Sequence, residues 1–109
     1  VVHIGFVDIA PTIDEFKLIL SSFIGEPQAM HFPSAPKIPI IVLDEIDRPQ
    51  PKLDRDLGNG MTVTVGRITE DMFFNIRFIG LSHNTVRGAA GGAILMAELL
   101  VQKGYIHVQ

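Results

Sequence analysis

The chain has 109 residues, 47% of them hydrophobic, which is the composition of one globular domain. Its net charge of −3 and its lack of a basic cluster argue against nucleic-acid binding. Because it has no cysteine, it can form neither a disulfide nor a thiolate metal site, and it offers no cysteine nucleophile.

The first 25 residues predict a strand and a helix. Val1–Val7 alternates like a strand with no polar lead before it, so we expect residue 1 to lie inside a longer parent chain. Thr12 and Glu15 predict a capping box, and Gly25 predicts the end of the helix. Four apolar residues at helical spacing form the stripe that we expect to face the core: Phe16, Ile19, Leu20 and Phe23.

A proline-rich connector and a charged loop flank the next predicted strand. Four prolines predict that Glu26–Pro39 is an extended connector without regular structure. The apolar run Ile40–Leu43 predicts a short strand buried on both faces. Asp44–Asn59 carries charges of both signs, which is typical of a solvated loop. The alternative is a contact loop at a subunit interface or near an anionic substrate.

Two further alternating segments, Met61–Ile68 and Phe74–Leu81, predict an antiparallel hairpin. The element order is therefore β, α, β, β, β, α. This order predicts an α+β fold, in which helices cover one face of a mostly antiparallel sheet.

The chain ends in a polar turn and a long apolar helix, which we place at residues 85–103. Asn84 or Thr85 is placed to cap this helix, and Gly104 is placed to end it. The helix is apolar on nearly every side, so it needs more cover than one small domain provides. Its apolar stretch is shorter than the roughly 20 residues that span a bilayer, and no signal peptide is evident. We therefore expect a cytoplasmic protein with no membrane partner.

The run of glycine and alanine at Gly88–Ala93 has two possible explanations. Glycine costs about 1 kcal/mol of helix stability relative to alanine, so something is expected to approach this backbone closely. A neighbouring helix or strand is one candidate. A ligand at the helix N-terminus is the other, because free amides and the helix dipole favour negative charge there.

Side chains able to carry out chemistry are scattered. The histidines stand singly, without the spacing of a metal site, and the carboxylates lie in loops and helix caps. These histidines are His3, His31, His83 and His107. No metal ligand and no catalytic residue is predicted. The strongest candidate site is Ser82–Thr85, four hydrogen-bonding residues at a strand end that opens onto the small-residue helix.

Five segments, spread in order over nearly the whole chain, carry a specific resemblance. They are GEPQ at Gly25–Gln28, PSAPK at Pro33–Lys37, DRPQPKLDRD at Asp47–Asp56, GMTVTVGRI at Gly60–Ile68 and SHNTVRGAAGGAILMAELL at Ser82–Leu100. Together they resemble the C-terminal domain of archaeal- and fungal-type aspartate-semialdehyde dehydrogenases. Malonyl-CoA reductase of the same superfamily shares GEPQ and HNTVRGAAGG, but Asp47–Asp56 is more similar to the dehydrogenases.

The resemblance implies an activity for the parent protein. It implies that residues 1–109 are part of the C-terminal catalytic and dimerisation domain of a glyceraldehyde-3-phosphate-dehydrogenase-like enzyme. The implied reaction is NADPH-dependent reductive dephosphorylation of aspartyl 4-phosphate to aspartate 4-semialdehyde, on the pathway to lysine, threonine and methionine. The family forms a thioacyl-enzyme on a cysteine, uses a histidine as acid and base, and takes hydride from NADPH.

The family's residues carry over to this chain only in part. Its cysteine has no counterpart here, and its catalytic histidine and substrate-binding arginine align ahead of Val1, so His3 does not inherit a catalytic role. Asn84 aligns with the amide residue that contacts NADP. The terminal helix, residues 85–103, is implied to pack on an N-terminal Rossmann domain outside these residues. The sheet face carrying Thr62, Thr64 and Arg77 is implied to lie in a homodimer or homotetramer interface. The implied substrate is a small acyl phosphate.

Two alternatives remain beside this interpretation. In the first, the parent is a malonyl- or succinyl-CoA reductase of the same superfamily. In the second, the chain is a non-catalytic dimerisation module, which keeps the fold for association alone.

Overall fold

A computed structural model describes all 109 residues. It contains four strands: β1 (Val2–Ile4), β2 (Ile40–Leu43), β3 (Val63–Glu70) and β4 (Ile76–Leu81). It also contains four α-helices: α1 (Ile13–Ser21), α2 (Glu26–Ala29), α3 (Pro51–Asp54) and α4 (Gly91–Gln102). A 3₁₀ turn at Leu57–Gly60 precedes β3, and a π-helical turn at Val86–Ala90 precedes α4.

The strands form one mixed sheet in the order β1-β4-β3-β2. The pairs β1–β4 and β3–β4 are antiparallel, and β2–β3 is parallel. The predicted α+β fold and hairpin are therefore confirmed. The parallel pair requires a crossover rather than a tight turn. That crossover is the charged segment between β2 and β3, which brings this segment onto the sheet.

Helix α1 covers one face of the sheet and closes the main core. Its predicted capping box is confirmed: the Thr12 hydroxyl accepts from the Glu15 amide at 3.2 Å, and the Glu15 carboxylate accepts from the Thr12 amide at 2.8 Å. Buried residues of the helix and sheet meet here, with Ile13 and Leu20 packed beside them. These buried residues are Phe16, Val65, Ile68 and Ile76.

Three details of the α1 region differ from the prediction. The apolar stripe is Ile13, Phe16 and Leu20, whereas Ile19 and Phe23 are more than half exposed. The helix ends at Ser21 rather than Gly25: the Phe23 amide donates to the Leu20 carbonyl in a tighter closing turn, and the Ser22 hydroxyl donates to the Leu18 carbonyl. Gly25 is instead the N-cap of α2, and its amide donates to the Gln28 side chain at 3.1 Å.

Two segments expected to lack regular structure contain short helices. Pro27 and Pro51 lie in the first turns of α2 and α3, where a missing amide hydrogen costs nothing. Two predicted strands also need correction. The first strand covers only Val2–Ile4. The strand at Ile40–Leu43 is placed correctly, but it is a half-buried edge strand rather than one buried on both faces.

Two threonines, one within β3 and one just before it, are buried inside this chain. Thr62 is 3% exposed and donates its hydroxyl to the Ile38 carbonyl at 2.8 Å. Thr64 is fully buried, and its hydroxyl has no partner. Of the three residues expected at a subunit interface, only Arg77 is exposed. The expectation is therefore wrong for Thr62 and Thr64, because other parts of the chain already cover them.

The terminal helix is divided where one helix was predicted at residues 85–103. Val86–Ala90 forms a π-helical turn, and only Gly91–Gln102 is α-helical. The predicted stop at Gly104 is confirmed, since this residue has a φ of 77°. The Gly104 amide donates to Val101 and the Tyr105 amide donates to Leu100, which together satisfy two carbonyls of the last turn.

Candidate functional site

The turn between β4 and α4 is built around His83. Its Nδ1 accepts from the Val86 amide at 3.3 Å and contacts the Thr85 hydroxyl at 3.2 Å. Neither Asn84 nor Thr85 caps the helix with its side chain, so that prediction is wrong. The reason is that the helix opens with a π-helical turn. His83 lies three residues before Val86, which is the spacing at which a side chain reaches a free amide at a helix start. This spacing was visible in the sequence.

The glycines that follow this turn have different structural explanations. A Cβ at Gly91 would lie 2.4 Å from the Met61 sulfur, and one at Gly92 would lie 2.5 Å from the Arg87 carbonyl oxygen. Close packing inside the chain therefore explains these two. At Gly88, by contrast, the nearest atom to an added Cβ is 3.8 Å away, and Gly88–Ala90 is exposed. The first part of the small-residue run is therefore exposed and free of close packing.

Asn84 lies at the edge of that open backbone. It is exposed, and its carboxamide makes no hydrogen bond within the chain. An unpaired carboxamide offers one acceptor and two donors to a ligand. Asn84 therefore presents an unpaired polar group beside Gly88, where no bulky side chain lies nearby.

The 3₁₀ turn at Leu57–Gly60 forms the neighbouring wall of this site. Gly58, Asn59 and Gly60 all have positive φ values, from 56° to 77°. A Cβ at Gly60 would lie 3.1 Å from the Val86 side chain, so this turn packs directly under the start of the terminal helix. Just before it, the Asp56 carboxylate lies 3.6 Å from His83 Nε2. The sequence contains no signal for this contact, because the two residues are far apart along the chain.

The charged segment Asp44–Asn59 is not simply solvated, because it has a buried ion pair at its centre. Asp54 is 1% exposed and accepts from Arg48 Nε at 2.8 Å, from Arg48 Nη2 and from the Gln50 amide at 2.7 Å. The Arg48 guanidinium, followed by the Gln50 amide, lowers the pKa of Asp54 although burial opposes this. A Cβ at Gly66 would lie 2.4 Å from the Arg48 carbonyl, so the backbone of this segment packs closely on β3 beside the ion pair.

A second charged pair lies elsewhere on the sheet and does not join this site. His3 Nδ1 contacts the Asp71 carboxylate between β1 and the β3–β4 turn. The amides of Phe73 and Phe74, followed by His3, lower the pKa of Asp71 to about 2.

The structure contains no group of three histidine, aspartate or glutamate side chains that could hold a metal ion. It also has no helix long and apolar enough to cross a membrane.

Two open clefts of similar size flank the sheet. One, of about 600 Å³, borders the start of α4 and includes Lys37, Asn59 and Gly91 in its walls. The other, of about 590 Å³, lies at the bulged end of β3 between Lys17, Arg67 and Arg77. The first is continuous with the wall formed by the 3₁₀ turn, whereas the second shares no residue with the Asn84 turn.

Helix α4 is held to its own domain along one side only. Leu95 is buried against Phe32 and Met61, and Glu98 accepts from the amide and hydroxyl of Ser34. The other side exposes three large apolar residues by 40% to 55%. These are Ile94, Met96 and Val101. The expectation that this helix is too apolar for the cover within its domain is confirmed.

Comparisons with known proteins identify relatives over most of the chain. The family described as semialdehyde dehydrogenase, dimerisation domain, matches residues 8–87. An aspartate-semialdehyde dehydrogenase of Aspergillus fumigatus is 48% identical over 95% of this chain and 31% of its own length. A malonyl-CoA reductase (NADP) of Metallosphaera sedula is 56% identical over 80% of this chain and 25% of its own length.

A solved structure agrees with these sequence relatives. The crystal structure of aspartate-semialdehyde dehydrogenase with NADP from Candida albicans has a TM-score of 0.84 and 45% identity. It covers 94% of this chain, and the chain covers 29% of that protein. The chain thus spans less than a third of each of these relatives.

Proposed function

Because this chain belongs to the semialdehyde dehydrogenase dimerisation-domain family, we propose that it is the C-terminal part of an NADP-dependent aspartate-semialdehyde dehydrogenase. The parent enzyme would convert aspartyl 4-phosphate to aspartate 4-semialdehyde. The observation that carries the proposal is the family match over residues 8–87, together with 48% identity to a fungal enzyme of that name over 95% of the chain.

The proposed role of this chain is to bind and orient rather than to supply the nucleophile. It has no cysteine, and thioacyl formation requires a thiolate. The nicotinamide, when bound, supplies the hydride. We therefore expect the isolated chain to be inactive with acyl phosphates and acyl-CoA compounds. Substrate-dependent NADPH oxidation by protein free of the full-length enzyme would contradict this.

Within the parent, we propose that Asn84 contacts the cofactor. Support comes from its exposed, unpaired carboxamide and from the open backbone at Gly88. Its side chain does not cap the helix, so Asn84→Ala is expected to leave stability nearly unchanged. Loss of one hydrogen bond should raise the KM for NADPH roughly three- to ten-fold, with the acyl substrate affected less.

Comparison of two variants tests this contact. Asn84→Asp keeps an oxygen acceptor but loses the amide donors, so it distinguishes donation from acceptance. If Asn84→Ala and Asn84→Asp both retain the wild-type KM for NADPH, the assignment of Asn84 is wrong.

The partners proposed for the parent follow from the two uncovered surfaces. The exposed side of α4 would pack on an N-terminal nucleotide-binding domain, because Ile94, Met96 and Val101 lack cover within this chain. Further copies of the protein would form a homodimer or homotetramer through the sheet. Since Thr62 and Thr64 are already buried, the contact on that face would centre on Arg77.

Malonyl-CoA reductase is the second candidate, favoured by 56% identity over 80% of the chain. The full-length parent, assayed with aspartyl phosphate and with malonyl-CoA at equal NADPH, separates the two. A higher kcat/KM for aspartyl phosphate supports the first candidate, and the reverse result supports the second. A full-length protein that dimerises but oxidises NADPH with neither substrate would identify a non-catalytic dimerisation module.

A further inference from the structure

The imidazole of His83 connects the turn that carries Asn84 with the charged segment before β3. We propose that His83 is a positioning residue for the cofactor contact, which it supports by fixing the Asn84 turn. This inference rests on the proposed contact between Asn84 and NADP. His83 itself would not touch the cofactor.

The hydrogen bonds of His83 define how it fixes the turn. A backbone amide can only donate, so the 3.3 Å contact with the Val86 amide makes Nδ1 an acceptor, and we assign the ring proton to Nε2. The Thr85 hydroxyl, 3.2 Å away, shares this acceptor. The His83 carbonyl also accepts from the Gly88 amide at 3.0 Å. His83 thus binds the residues on the far side of Asn84 through both its ring and its backbone.

The other side of the ring faces the charged segment. Nε2 lies 3.6 Å from the Asp56 carboxylate, and the His83 side chain is only 19% exposed although Asp56 is largely exposed. Four residues later, Gly60 packs against Val86, at a position where a Cβ would approach to 3.1 Å. Two contacts therefore hold the Asn84 turn against a wall that leads directly into β3.

Loss of the Nδ1 acceptor would leave the Val86 amide without this partner and allow the turn more conformations. The cofactor would then have to order the turn on binding, which lowers affinity without changing the reacting groups. The expected signature is weaker NADPH binding with little change in kcat. A histidine that only stabilised the fold would lower the melting temperature and leave the affinity of the folded fraction unchanged.

Two substitutions of His83 in the full-length parent test the inference. His83→Leu removes both nitrogens, whereas His83→Asn places an oxygen acceptor near the position of Nδ1 and removes the contact with Asp56. His107→Leu, on the exposed C-terminal segment, is the matched control. We expect His83→Leu to raise the NADPH Kd, measured by cofactor fluorescence, roughly three- to ten-fold. His83→Asn should restore most of that loss, and His107→Leu should have no effect.

Hydrogen exchange of the Val86 amide gives a readout independent of the cofactor. His83→Leu should accelerate this exchange roughly ten-fold, and His83→Asn should do so less. If Asn84→Ala raises the NADPH Kd but His83→Leu does not, the positioning role is overturned. If Asn84→Ala leaves the Kd unchanged, the proposed Asn84 contact fails, and the positioning role of His83 is overturned with it. If Asn84→Ala and His83→Leu both raise the Kd but Val86 exchange is unchanged in His83→Leu, the contact stands and the positioning role is overturned.

Discussion

The buried Arg48–Asp54 pair makes a strong prediction about stability. Asp54→Asn keeps the shape of the side chain but removes its charge, and it turns an amide group toward donors from Arg48 or Gln50. Breaking a buried ion pair typically costs about 3–5 kcal/mol. The Arg48 side chain is 24% exposed, so water can solvate its charge and offset part of the cost of losing its partner. We therefore expect the free energy of unfolding to fall by about 2–3 kcal/mol.

Urea unfolding followed by circular dichroism measures this change. With a typical urea m-value for a chain of this size, about 1–1.5 kcal/mol/M, the midpoint should fall by about 2 M. Asp47→Asn is the control, because Asp47 is an exposed carboxylate on the same segment, and its loss should stay within about 0.5 kcal/mol. The double variant Arg48→Met, Asp54→Leu should recover much of the loss, since it leaves no buried charge unpaired. A loss below about 0.5 kcal/mol for Asp54→Asn would refute the reasoning.

Three further predictions concern packing, acid stability and the terminal helix. Gly66→Ala should destabilise the chain by about 2–3 kcal/mol, because the added Cβ would lie 2.4 Å from the Arg48 carbonyl. Gly80→Ala is the control: the nearest atom to its Cβ is 3.9 Å away, so it should cost less than about 1 kcal/mol. Equal losses of stability in urea unfolding would contradict this. The folded pKa of Asp71 is about 2, below the unfolded value near 3.9, so its contribution is present above pH 4 and lost as the pH falls toward 2. Asp71→Asn should therefore flatten the stability curve in that window, and an unchanged slope would count against it. The isolated chain should bind a hydrophobic dye or self-associate through α4, and a monodisperse monomer without dye binding would show that α4 is covered.

Local patterns in the sequence were enough to predict several elements. The capping box of Thr12 and Glu15, the strand Ile40–Leu43 and the stop at Gly104 depend on residues a few positions apart. The hairpin of β3 and β4 follows from alternation in two neighbouring segments. The exposed apolar side of α4 was also predictable, because a helix with Glu98 as its one charged residue cannot be fully covered by so small a domain.

Contacts between distant residues could not be predicted in the same way. Helical spacing did not distinguish the buried Leu20 from the exposed Ile19, since only the position of the sheet decides which stripe of α1 is covered. The alternation of Thr62 and Thr64 predicted a polar face but not its burial, which depends on the crossover between β2 and β3.

The candidate site shows the same division. Its position, a polar turn opening onto small residues, was determined by the sequence of Ser82–Thr85 and the glycines after it. Which glycines are packed and which is open was decided only in the folded chain, where Met61 approaches Gly91 and the Arg87 carbonyl approaches Gly92. The role of His83 likewise depends on a π-helical turn and on Asp56, because side-chain geometry and long-range contacts arise only when the chain has folded.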